Sequence, residues 1–225
     1  MSVCKAVLFD MDGVIFDSER ALRSCWRELA EQRGLSDMDR VYERCLGITK
    51  PRTIAILKEE YGEDFPFDWF YETAFSLYME RFSGGRLPIK PGAVELLRFL
   101  REKGLPIALA SSTYAPTVES RLKDGGLRDC FDHVITGDMV SRSKPDPEIF
   151  LLACEKCGVK PGEAWVIEDS FNGIRAAFAG GMHPIMVPDL AGPDEEIRRK
   201  AEVVLPSLYE VKDYLSRYIE SAHTA

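Results

Sequence analysis

From position 91 onward, apolar and polar positions alternate between two rhythms. Short apolar runs at 106–111, 133–136, 164–168 and 184–187 are separated by stretches in which apolar residues recur every three to four positions. Runs of that length suit strands buried on both faces, and the spaced stretches suit amphipathic helices. The helices are expected over 92–103, 116–123, 147–157 and 171–179, and they close at Gly104, Gly125-Gly126, Gly158 and Gly180-Gly181. A short strand at 203–205 and a helix at 208–219 complete the series. The alternation predicts an α/β fold, a Rossmann-like, doubly wound parallel sheet.

The start of the chain carries one more strand of this kind, Val7-Leu8-Phe9, which stops at Asp10 and, past Asp12, at Gly13. Beyond it the strand signal vanishes. Asp17 or Ser18 can cap a helix over 19–33 that Gly34 stops, and further helical periodicity covers 39–46, 52–61 and 68–82. Trp26, Tyr42, Tyr61, Phe65, Phe67, Trp69, Phe70, Tyr71, Phe75 and Tyr78 make this region dense in aromatics, as expected of a helix-bundle core. Ser83-Gly84-Gly85-Arg86-Leu87-Pro88 reads as the return crossing. The expected organisation is an α/β core of residues 1–16 and 87–225, with an all-helical insertion at 17–86.

Composition narrows the function classes. With 45% hydrophobic and 29% charged residues, the 225-residue chain can bury a full core. A formal net charge of -8 leaves no basic surplus for phosphate backbones, which argues against nucleic-acid binding. No segment has the length and apolarity of a membrane span, and the first ten residues lack a signal-peptide pattern, so a cytoplasmic protein is expected. The six cysteines are scattered. Cys154 and Cys157 share a C-x-x-C spacing inside an expected helix, where two thiols on one face are the simpler reading. His133, His183 and His223 have no metal-ligand spacing, and a monomer is the simplest assembly.

In open parallel sheets, ligands bind beyond the carboxyl ends of the strands. Those ends carry Asp10 and Asp12, then Ser111 followed by Ser112 and Thr113, then Lys144 in the loop after the third strand, then Glu168 and Asp169. Singly, each has an ordinary explanation: turn carboxylate, loop serine, solvated lysine, helix cap. Together, in order at successive strand ends, they form a constellation. Convergent carboxylates without paired thiols or histidines suit a hard cation, Mg²⁺ above all, which commonly shares a bound phosphate. Beside it a carboxylate can attack phosphorus, a lysine and a hydroxyl can stabilise the transferring group, and a second carboxylate can move protons.

These motifs resemble the haloacid dehalogenase superfamily, in the branch of β-phosphoglucomutases and small sugar-phosphate phosphatases. The likeness rests on Asp10-Met11-Asp12-Gly13-Val14, Ala110-Ser111-Ser112, Ser143-Lys144-Pro145-Asp146-Pro147 and Glu168-Asp169-Ser170-Phe171-Asn172-Gly173. The resemblance implies that Asp10 is the nucleophile and Asp12 the general acid/base. It implies Mg²⁺ held by Asp10, the Asp12 backbone carbonyl and Asp169, with Glu168 supporting through water, and Ser111 and Lys144 on the phosphoryl group. The insertion would be the family's mobile cap. Ser112 and the cap residues Arg20, Arg23, Lys50 and Arg52 are candidate contacts for a small phosphorylated metabolite.

Within the superfamily, Asp12 argues against a metal-independent dehalogenase, and nothing singles out Lys50 or Lys58 as a Schiff-base lysine. β-Phosphoglucomutases carry a histidine where this chain has Leu22, an arginine where it has Lys50 in the loop Leu46-Gly47-Ile48-Thr49-Lys50, and a Lys-Asn pair where it has Tyr114-Ala115. Leucine cannot relay a proton, and lysine lacks the bidentate fork. A phosphatase is therefore expected before a phosphosugar mutase, and a phosphate-binding pseudoenzyme is a third reading.

Overall fold

A computed structural model describes residues 3–46 and 48–219; Gly47 and His223 lie outside the described residues. Six strands, β1 (Ala6–Phe9), β2 (Ile107–Ala110), β3 (His133–Ile135), β4 (Ala164–Glu168), β5 (His183–Met186) and β6 (Val203–Val204), form one parallel sheet in the order β3-β2-β1-β4-β5-β6. The order reverses between β1 and β4, which are joined in register at Phe9 and Ile167, and a ligand crevice is expected beyond their carboxyl ends.

Side chains alternate across the sheet. Val7, Phe9, Ile107, Leu109 and Ile167 face one layer, made by α5 (Ala93–Glu102), α6 (Ala115–Asp124) and α10 (Leu208–Leu215). Leu8, Ala108, Ala110 and Val166 face the other, made by α7 (Glu148–Cys157) and α8 (Phe171–Ala179). This is the expected doubly wound α/β arrangement, with element ends within a few residues of those read from the pattern. The short helix α9 (Glu195–Lys200) packs Ile197 against Ile174 and Met186.

Four helices separate β1 from α5: α1 (Ser18–Arg33), α2 (Met38–Arg44), α3 (Lys50–Tyr61) and α4 (Phe67–Phe82). They share a hydrophobic cluster of their own that includes Trp26, Val41, Tyr42, Leu57, Phe67 and Phe70. Trp26 meets Tyr42 and Phe70 edge-on at 5.1 and 5.3 Å. Not every aromatic joins it: Trp69, Tyr71 and Phe75 are exposed on α4, with the Arg33 guanidinium stacked 3.9 Å over Trp69. Asp17 precedes α1 without capping it through its side chain, which reaches Arg20 instead.

The chain enters and leaves these helices along adjacent paths. Phe16 and Ile89 form an antiparallel bridge, Asp17 N–H donates to Pro88 O at 2.9 Å, and Lys90 N–H donates to Ile15 O at 2.9 Å. The carboxylate of Asp189, from the loop after β5, accepts from Lys90 at 2.5 Å and from Arg20 on α1. Among the described residues, no helix is long and apolar enough to cross a membrane. Cys154 and Cys157 are free thiols on α7, and burial pushes the Cys154 thiol up to about 12, which leaves it protonated and unreactive.

Candidate active site

The end of β1 delivers Asp10, buried at 8% exposure, onto the rim between β2 and β4. The chain then turns sharply: Ile15 and Phe16 N–H groups both donate to Met11 O, and Gly13 adopts φ +77°. A Cβ on Gly13 would lie 2.1 Å from Asp169 Oδ2, so glycine is needed both for the conformation and for the approach of that carboxylate.

Lys144 reaches the rim from the loop before α7 and donates to Asp10 Oδ1 at 2.5 Å, Glu168 Oε1 at 2.8 Å and Ala110 O at 2.9 Å. The other Glu168 oxygen accepts from the Asp169 and Ser170 N–H groups at 3.0 and 2.9 Å and from the Ser170 hydroxyl at 2.9 Å. Ser170 Oγ in turn accepts from Gly173 N–H and caps α8. The spacing from Glu168 to Gly173 has a steric cause as well: a Cβ at Gly173 would fall 1.8 Å from Glu168 Oε1.

Oxygens of Asp10, Glu168 and Asp169 lie within 4.8 Å of one another. Burial pushes Asp10 up to about 7, with the Lys144 charge opposing it and Glu168 and Asp12 adding to it. Burial, then Glu168 and Asp10, hold Asp169 well above the usual carboxylate range. Burial alone would lower Lys144, but Asp10 and Glu168 outweigh it and raise it. Burial thus leads the rise of both acids and mutual repulsion of the carboxylates adds to it, while Lys144 is held charged by the two it touches, Asp10 and Glu168. An all-oxygen donor set with uncompensated negative charge fits a hard divalent cation.

Asp12 is held differently. Its Oδ1 accepts from the Ser18 hydroxyl at 2.7 Å and from Arg121 at 2.5 Å, and its Oδ2 accepts from the Thr113 hydroxyl at 3.0 Å. Arg121 also donates to the Tyr78 hydroxyl on α4 at 3.0 Å. Ser111 is buried, and its hydroxyl oxygen accepts from Thr113 N–H at 3.1 Å.

Asp10, Asp12, Ser111, Ser112, Lys144, Glu168 and Asp169 all line one cavity of about 660 Å³. The inserted helices and their connections close it with Glu19, Glu43, Leu46 and Ile48. Glu19 accepts from the Tyr42 hydroxyl at 2.9 Å; burial raises its pKa, against that hydrogen bond. The cationic residues expected at the substrate lie outside the lining. Lys50 pairs with Asp68 at 3.3 Å and sits over the Phe67 ring, Arg20 is taken by Asp17 and Asp189, and Arg23 by Asp39 and Glu43; Arg52 is exposed on the first turn of α3. Leu22 packs among hydrophobic residues, with no proton to relay. Arg121, Tyr78 and Glu19 are functional candidates that sequence reasoning passed over. Only Glu19 left a trace, as the residue after Ser18 at the start of the helix nearest the first motif.

The sequence model of the haloacid dehalogenase-like hydrolases matches residues 4–181. The chain is 34% identical over 181 residues to a phosphorylated carbohydrates phosphatase of Thermotoga maritima, covering 80% of this chain and 83% of that one. A haloacid dehalogenase family hydrolase from Deinococcus radiodurans, solved with bound phosphate and sodium, superposes with a TM-score of 0.84 at 28% identity, covering 97% of each chain. A mutant of CbbY from Rhodobacter sphaeroides, solved with xylulose-1,5-bisphosphate, does so with a TM-score of 0.70 at 28% identity, covering 92% of this chain and 96% of that one.

Proposed function

Because this chain belongs to the haloacid dehalogenase-like hydrolases, we propose that it is a Mg²⁺-dependent phosphatase that hydrolyses a small phosphate monoester, a sugar or polyol phosphate. The observation that carries the reading is the convergence of Asp10, Lys144, Glu168 and Asp169 at the switch point of the sheet, under one cavity. Asp10, Asp169 and the Asp12 backbone carbonyl would hold a Mg²⁺ ion, with Glu168 in support, and the ion would supply Lewis-acid neutralisation of phosphoryl charge.

In this reading an Asp10 oxygen attacks phosphorus, and the bond from phosphorus to the ester oxygen breaks, leaving an aspartyl phosphate. Asp12 gives a proton to the departing alkoxide, then takes one from the water that attacks phosphorus in the second half-reaction and returns Asp10 to its carboxylate. Lys144 and Ser111 bind the phosphoryl oxygens, with Lys144 oriented beforehand by the Ala110 carbonyl. The helices of 17–86 form a cap that reads the leaving group and excludes water.

Leu22, which cannot relay a proton, favours hydrolysis over the mutase reading. The deciding experiment is a phosphate-release screen over phosphorylated sugars and polyols, with and without chelator, beside Asp10→Asn. Mg²⁺-dependent release that Asp10→Asn abolishes is expected. Interconversion of hexose phosphates with little phosphate release would favour the mutase instead, and metal-free turnover by Asp10→Asn would overturn the mechanism.

A further inference from the structure

Asp189 is a buried carboxylate outside the reacting rim, and it ties together three parts of the chain. Val187 N–H donates to Glu168 O at 2.8 Å, so the loop after β5 leaves the sheet beside the rim. Two residues on, the Asp189 side chain is 1% exposed. Its Oδ1 accepts from Lys90 at 2.5 Å, at the exit from the insertion, and from Arg20 on α1. Its backbone carbonyl accepts from Arg20 as well, at 3.2 Å. Asp17, at the entry to the insertion, accepts from Arg20 at 3.0 Å and lies 3.7 Å from Lys90. Asp189 Oδ2 is buried with no hydrogen-bond donor among the described residues, so those two cations balance the charge.

A buried ion pair adds little to stability, because desolvation offsets most of the Coulomb gain. What it does well is hold a direction, and here Arg20 is gripped by the side chain and the backbone of one residue. Arg20 stands in the first turn of α1, two residues past Ser18, whose hydroxyl donates to Asp12 Oδ1 at 2.7 Å. Leu190 packs into the hydrophobic cluster of the inserted helices, and with Ala191 it lines the cavity. One loop of the core thus grips α1 by charge and meets the helices behind it with an apolar side chain.

We infer that Asp189 is a positioning residue for proton transfer: through Arg20 it sets the first turn of α1 and so holds the Ser18 hydroxyl on Asp12. The inference rests on the phosphatase reading, in which Asp12 is the general acid/base. Without the Asp189 charge, α1 keeps its apolar packing but loses this ionic contact with the core, and Asp12 loses a fixed donor while keeping Arg121 and Thr113. Protonation of the leaving group suffers most. Attack by Asp10, whose contact with Lys144 is untouched, suffers least.

The test compares kcat/KM for phenyl phosphate and p-nitrophenyl phosphate, esters of similar shape whose leaving groups differ in their need for a proton. This quantity covers the steps up to the aspartyl phosphate, so its later hydrolysis does not enter. Asp189→Asn keeps the size and one acceptor but removes the charge. It is expected to lower kcat/KM about tenfold for phenyl phosphate and by no more than about twofold for p-nitrophenyl phosphate. Arg20→Gln, at a half-exposed side chain, should show the same pattern, and it carries the test where Asp189→Asn does not fold. Arg20→Lys should recover part of the loss, and the double variant should fall within about twofold of Asp189→Asn alone. Equal losses on both esters would make Asp189 a merely structural residue and overturn the inference, as would an Arg20→Gln enzyme indistinguishable from the wild type. A wild type that releases no phosphate from either ester in Mg²⁺ would overturn the phosphatase reading, and this inference with it.

Discussion

Arg121 lies 2.5 Å from Asp12 Oδ1 and, through its other terminal nitrogen, 3.0 Å from the Tyr78 hydroxyl. One side chain of α6 thus touches the proposed general acid/base and a helix of the insertion. With Ser18 and Thr113 it fixes where the Asp12 carboxylate points.

Arg121→Leu is expected to lower kcat on an alkyl phosphate by about 10- to 100-fold, short of the full effect of removing a general acid, because two hydroxyl donors remain on Asp12. The loss should be smaller on p-nitrophenyl phosphate, whose leaving group departs without a proton, and Arg121→Lys should recover part of it. Equal losses on both substrates would reduce Arg121 to a packing residue.

Gly13→Ala should lower both stability and Mg²⁺ affinity. The substitution imposes a left-handed conformation worth about 1–2 kcal/mol and pushes a methyl group to 2.1 Å from Asp169 Oδ2. Gly34, with φ +67° and nothing within 4 Å, supplies the control: Gly34→Ala carries the conformational cost alone. Calorimetric Mg²⁺ titration separates the two, since only Gly13→Ala should shift the dissociation constant.

Lys144→Met leaves Asp10 and Glu168 buried without their cation. Breaking a buried pair in this way typically costs about 3–5 kcal/mol, so denaturant unfolding of the metal-free variant near neutral pH should show a loss of that order. Saturating Mg²⁺ should restore part of the stability but not the turnover. Equal stability of variant and wild type would contradict the charge arrangement at the rim.

The metal-free protein should lose stability as pH rises from about 5 to about 7. Asp10 moves from an ordinary 3.8 to about 7 on folding, so the folded chain binds the extra proton across that window; the stabilisation is complete below 3.8 and gone above about 7. The raised Asp169 acts in the same direction. Thermal melts should therefore show a larger gain from Mg²⁺ at about pH 8 than at about pH 5. A gain that shrinks with rising pH would be the wrong sign.

The sheet was legible in the sequence because its central strands β1, β2 and β4 are fully buried and α5, α6, α7 and α8 end at or within two residues of a glycine, signals that need only neighbouring residues. Asp10, Ser111, Lys144 and Asp169 were legible for a related reason: topology brings successive strand ends to one rim, so order along the chain becomes proximity in space. The Arg121–Asp12 contact spans 109 residues and depends on how α6 packs, which no local pattern records. Lys50 shows the converse. Its charge suggested a substrate contact, but packing of α3 beside α4 gives it to Asp68 and the Phe67 ring.

The bridge between Phe16 and Ile89 has a consequence for how the molecule tolerates change. Because the two ends of the insertion are hydrogen-bonded neighbours, the sheet experiences everything between them as a single closed loop. The entropic cost of closing such a loop grows only with the logarithm of its length. Changes of length in the connections between the helices therefore cost the sheet little, whereas Ala21, Cys25 and Tyr78, buried against the sheet-side core, and Ser18, hydrogen-bonded to Asp12, anchor the first and last helices of the segment to it.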